Sequence, residues 1–190
     1  MTYIAFLRGM NVPGRSVKME YLRGLFVELG FTNVRSYIQS GNVFFEASAD
    51  MNREVLTEKI GQQLYKELGY EVAVCLRTIP ELEQVIALNP FKNIVATPDM
   101  RLCVVFTTQS IPDDLGLPLR SPKKDIEIIK TTKYEAFIIW YLIGGHAPTA
   151  KGFQEKVLGQ DATTRYFHTT VKILEAAKVR SNMLSNEPND

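Results

Sequence analysis

A chain of 190 residues, 45% hydrophobic and 23% charged, is enough for one ordinary domain or two small ones and excludes a disordered or fibrous protein. Lys and Arg total 22 against 21 Asp and Glu, so a net charge of +1 supplies no global field toward nucleic acid or membrane. No run approaches the roughly 18 apolar residues of a membrane span, and the start lacks the cationic stretch of a signal peptide, so a cytoplasmic protein is expected.

In chain order, residues 2–7 form a short apolar run and predict a buried strand. A loop with two glycines follows, Arg8 to Arg15. A helix then carries Leu22, Leu25, Phe26 and Leu29 at helical spacing, with Ser16 as its expected N-cap and Gly30 as its stop. Two β-rich runs flank Ser40-Gly41-Asn42, a hairpin pattern. A second helix is expected to start near Asp50 to Asn52, with Leu56, Ile60, Leu64 and Leu68 along one face and Gly69 at its end. Val72, Val74 and Leu76 then alternate as in a half-buried strand.

The order to residue 77 is β-α-β-β-α-β, the ferredoxin-like split unit with two helices on one face of an antiparallel sheet. Next, Thr78 and Glu81 make a capping box, and Asn89-Pro90 ends that helix. Strands are expected over 101–108, 125–130 and 134–143, with at most a helical turn over 112–119. Residues 162–179 read as one last helix, with Phe167, Val171 and Leu174 on a face and Arg165 near its start. The expected fold class is α+β: a first unit over 1–77, a second, related half over 78–180 whose closing strand is missing or replaced, and a polar tail over 181–190. A duplication, two ferredoxin-like units sharing one core, is the preferred architecture.

Cys75 and Cys103 sit far apart inside apolar runs and predict two packed thiols rather than a disulfide. With two histidines and scattered carboxylates there is no metal-ligand pattern, and no cofactor is implied.

The segment from Phe6 to Phe45 carries a resemblance. Its Arg8-Gly9-Met10-Asn11-Val12 loop, the Lys18-Met19 start of a leucine-rich helix and the Tyr37-Ile38-Gln39-Ser40-Gly41-Asn42-Val43 run are similar to the signature of the domain of unknown function 1697 family. Asn89-Pro90-Phe91 and Thr163-Thr164-Arg165 add to it. Pro13 stands where the family usually has glycine, and Tyr166-Phe167 where an asparagine-tryptophan pair is common. The resemblance implies a bacterial protein without an assigned reaction.

The residues themselves suggest a ligand site. The loop of Arg8, Gly9, Asn11, Gly14 and Arg15 joins a strand to a helix N-terminus, where free N–H groups favour an anion. Arginine forks suit phosphate or carboxylate. Lys18 and Arg165 are cations near helix starts, where a bound anion would offset their unfavourable position. Gln39, Ser40 and Asn42 could line the same site, although a hairpin turn needs such residues for its geometry alone. The expected partner is an anionic small molecule, a phosphorylated metabolite or nucleotide. An enzyme acting on such a ligand and a protein-protein interaction module are the alternatives. No histidine is placed by sequence to activate Ser40, and His146 lies in a glycine-rich turn. Nucleic acid is disfavoured by the charge balance and by the lack of an RNP pattern, although aromatic rings in strands would allow base stacking. No membrane partner is expected, and oligomeric state is left open.

Overall fold

The computed structural model describes residues 1–10, 12, 14–48, 50–149 and 152–179. Asn11, Pro13 and the expected polar tail lie outside the described residues.

The chain is mixed α+β, with two antiparallel sheets and five helices among the described residues. The first sheet contains β1 (Thr2–Leu7), β2 (Thr32–Tyr37), β3 (Asn42–Glu46) and β4 (Val74–Thr78), in the order β2-β3-β1-β4. Helices α1 (Met19–Glu28) and α2 (Arg53–Leu68) cover one face of it. Alternation explains why. In β1, Tyr3, Ala5 and Leu7 point to the helices, while Ile4 and Phe6 point to the opposite side. Val74 and Leu76 join the helix side and Cys75 the other.

The second sheet orders β6 (Leu119–Arg120), β7 (Ile126–Thr131), β8 (Glu135–Tyr141), β5 (Met100–Phe106) and β9 (Thr163–Tyr166) as β6-β7-β8-β5-β9. Within it, β7, β8, β5 and β9 stand in the order that β2, β3, β1 and β4 take in the first. No helix follows β5, however, and β6 borders β7. The two sheets face each other across a central core. Phe6 stacks on Phe106 with ring centroids 4.1 Å apart, and Phe44, Val104, Phe137 and Ile139 join them. Helices α3 (Ile79–Leu88) and α5 (Phe167–Lys178) close this core with Leu82, Val85, Ile173 and Leu174. A third cluster lies on the far face of the second sheet, where α4 (Phe153–Leu158) and Ile111 cover Cys103, Val105 and Ile138.

Local signals set the element ends. After α1, Phe31 N–H bonds Phe26 C=O and Gly30 N–H bonds Val27 C=O, with Gly30 at φ 85. This is a Schellman ending, and Phe26 and Phe31 supply its apolar contact. Asn52 caps α2 through Glu54 N–H, and the Thr78–Glu81 box caps α3.

Three expectations change and one holds. Helix α1 opens at Met19 with Lys18 at the N-cap, not at Ser16, because Arg15 closes a tight turn onto Val12 C=O and the extended stretch after it lays Val17 on the core. Residues 112–119 hold a turn at 113–114 and no helix, as expected, and the segment ends in β6. Helix α4 has no counterpart in the sequence reading. Finally, Thr163–Tyr166 is a strand rather than the first turn of the last helix, and it closes the second sheet where a missing or replaced strand was expected. Pairing with Cys103 to Phe106 decides this, and the β-branched Thr163-Thr164 pair suits it. The buried face of α5 is Thr170, Ile173, Leu174 and Ala177.

Candidate functional site

Six of the predicted site residues fall into two places. Three of them meet inside the protein. Strand β9 aims Arg165 at the end of β1 and the turn between β2 and β3, and all five guanidinium N–H groups find acceptors. Its Nε donates to Asn42 Oδ1 at 2.8 Å, one terminal nitrogen to Thr163 Oγ1 and Thr164 C=O, and the other to Leu7 C=O and Ser40 C=O, each at 2.9 Å. Asn42 is fully buried and donates to Ser40 Oγ at 2.7 Å and Tyr37 C=O at 3.2 Å. Gly41 belongs to the same knot. Its φ is 74, and a side chain there would meet Met10 Cγ at 2.6 Å. Burial lowers the Arg165 guanidinium to about 10, so it stays charged at neutral pH. Because every donor is engaged by the chain itself, this is a polar junction between the halves. The helix-start placement of Arg165 is thereby corrected, and Ser40 and Asn42 are partners of the arginine.

Arg8, Gly9 and Arg15 line a second place, a cleft of about 430 Å³ shared with Glu71, Ala73, Glu155, Gln160 and Asp161. Arg8, at the end of β1, forms an ion pair with Glu155 on α4. The Arg15 guanidinium lies 4.1 Å from the Tyr70 ring centroid, a cation–π contact. The described lining therefore holds two guanidinium groups and three carboxylates. Gly14 and Lys18 are exposed and do not line it, and Gln39 is exposed in the hairpin turn.

Neither place holds a histidine. Among the described residues no group of three or more His, Cys, Asp or Glu is placed to hold a metal. Both cysteines are buried and unpaired, and burial pushes the Cys75 thiol up to about 11. Both faces of the first sheet are covered, so Phe44 and Phe45 are core rings with no free face for a base, and Phe137 of β8 is buried in the central core between the sheets. No described helix is long and apolar enough to cross a membrane.

Sequence reading missed a second buried arginine. Arg77, on β4, holds Glu135 at 2.5 Å and donates to Leu76, Thr107 and Tyr134 carbonyls. Glu135 also accepts from the Thr132 hydroxyl. The available signal was a lone arginine between an apolar strand and a helix cap. Glu155, Glu71 and Asp161 carried no pattern at all, since only folding brings them to Arg8.

The family described as Protein of unknown function (DUF1697) matches residues 1–137, and the chain belongs to it. Among solved structures, the conserved bacterial protein SP0830 from Streptococcus pneumoniae is similar to this chain at 24% identity with a TM-score of 0.71. The match covers 94% of this chain and 98% of that one, which shows a shared fold. No curated protein matches.

Proposed function

We propose that the chain is a binding module for a small ligand that carries both an anionic and a cationic group, seated in the Arg8–Arg15 cleft. The observation behind this reading is the mixed lining. Arg8 and Arg15 share one cleft with Glu71, Glu155 and Asp161. A bare anion must compete with Glu155 for Arg8 and then face two further carboxylates. A ligand with a phosphate or carboxylate for the arginines and an amine for Glu71 and Asp161 meets both signs. The expected anionic ligand is thus narrowed to a zwitterion.

A thermal-shift series with O-phosphoethanolamine and inorganic phosphate tests this. At about a hundredfold excess over Kd, a ligand stabilises by about 2.7 kcal/mol, which raises the midpoint of a domain this size by about 5–10 °C. O-phosphoethanolamine is expected to give that rise and phosphate much less. Arg15→Ala is expected to remove it, and Glu155→Gln to improve the response to phosphate by freeing Arg8. A flat response to both compounds rejects the reading.

A further inference from the structure

Strand β4 is the outermost strand of the first sheet and pairs on one side only. Arg8 N–H donates to Ala73 C=O at 3.0 Å, and the register sets Phe6 opposite Cys75 and Ile4 opposite Arg77. Antiparallel pairing alternates, so Ala73, Cys75 and Arg77 turn their backbone groups to β1, while Val74 and Leu76 turn theirs away. The Leu76 carbonyl is met at 2.7 Å by the guanidinium of Arg77. Val74 N–H, Val74 C=O and Leu76 N–H have no partner among the described residues. The side chains of Val74 and Leu76 pack into the core with those of α1 and α2, which leaves the residues 3% and 2% exposed, and both residues also line the groove beside the edge. Unpaired backbone groups along the edge of a sheet are a template for a further strand.

A groove runs along this edge. Two hollows of about 520 and 480 Å³ share Thr57, Val74 and Thr108 in their walls, with α2 on one bank. The groove is acidic. Its carboxylates are Glu54, Glu58, Glu71 and Asp161, and its only described cations are Arg53 and Arg77. Arg53 is held by Glu81 and Arg77 by Glu135, neither of which lines these hollows. Glu54, Glu71 and Asp161 form no ion pair with a described residue.

We propose that this groove takes an extended, lysine- or arginine-bearing peptide segment, laid alongside β4 as a fifth strand. The donor-acceptor-donor sequence of Val74 and Leu76 is what another strand's backbone satisfies, a recognition mode seen wherever peptides add to open sheet edges. The carboxylates select the charge of the incoming side chains. A second copy of this chain paired through β4 would bring the same carboxylates together, and a polyanion meets the wrong sign.

The test is fluorescence anisotropy with labelled octapeptides. An alternating lysine-valine peptide is expected to bind at least about tenfold tighter than its glutamate-valine counterpart. It is also expected to bind about tenfold tighter than the same peptide N-methylated at alternate amides, which cannot form the ladder. Glu54 and Glu58 are exposed and lie outside the Arg8–Arg15 cleft. The E54K/E58K double variant is therefore expected to stay folded, to lose about tenfold in affinity and to keep any response to O-phosphoethanolamine. Equal binding of the N-methylated or the acidic peptide overturns the proposal, as does no binding of the cationic peptide at millimolar concentration. If light scattering shows the peptide merely dissociating a homodimer, the occupant is a second copy and the proposal also fails.

Discussion

Arg165 illustrates how a residue picked out for ligand chemistry can be occupied by the fold. Its five N–H groups meet five acceptors on β1, the β2–β3 turn, β3 and β9 itself. Lysine offers the same charge but three donors and no planar fork. In Arg165→Lys at least two acceptors lose their partner, at about 1–3 kcal/mol each, so a loss of about 2–6 kcal/mol is expected by urea denaturation. Lys18, read from the sequence as the same kind of cation, is exposed and makes no side-chain cap. Lys18→Ala is expected to change stability by no more than about 0.5 kcal/mol. The sequence could nominate both cations because each is near a helix start. It could not separate them, because separation depends on residues more than a hundred positions away.

At the scale of the element, caps and turns were legible and tertiary choices were not. Gly30, Asn52, Gly69 and the Thr78–Glu81 box act through neighbours within four residues, and each ends or starts a helix where expected. Strand β9 and helix α4 depend on distant partners. Thr163–Tyr166 became a strand because β5 had an open edge, and α4 is fixed by the Arg8–Glu155 pair and by Gln154 bonding Trp140 and Thr164. The capping box also carries a pH dependence. Burial works to raise the Glu81 carboxyl, but Thr78 N–H at 2.7 Å, the Thr78 hydroxyl and Arg53 outweigh it and hold the carboxyl below 4.5. A depressed folded-state value means this contribution is complete above the unfolded value and is lost as pH falls through the folded one. Between about pH 6 and pH 3, wild type is therefore expected to lose more urea stability than Glu81→Gln.

At the scale of the molecule, the central core draws on both sheets. Phe6 and Phe44 come from the first, Val104, Phe106 and Phe137 from the second, and α3 and α5 seal the rim. Arg35, on the edge strand β2, donates to the Ala176 and Ala177 carbonyls at the end of α5 and so ties the far ends of the chain together. Phe106→Ala removes one partner of the stacked pair and is expected to cost about 3–5 kcal/mol. Trp140, the single tryptophan, reports on the second sheet, and far-ultraviolet circular dichroism reports on the whole. Both probes are expected to give the same lowered midpoint in urea. Separate midpoints would show that the halves unfold independently.

The junction at Arg165 also has a meaning in time. Asn42 and its arginine are 123 positions apart in the chain. At about 5–20 residues per second, a ribosome needs about 6–25 s to travel between them. Throughout that interval the nascent amino-terminal half carries carbonyls at Leu7 and Ser40 whose arginine has not yet been made. The contacts of Leu7, Ser40 and Asn42 with this arginine therefore close only after β9 has left the exit tunnel, so a strand of the second sheet completes the amino-terminal half late.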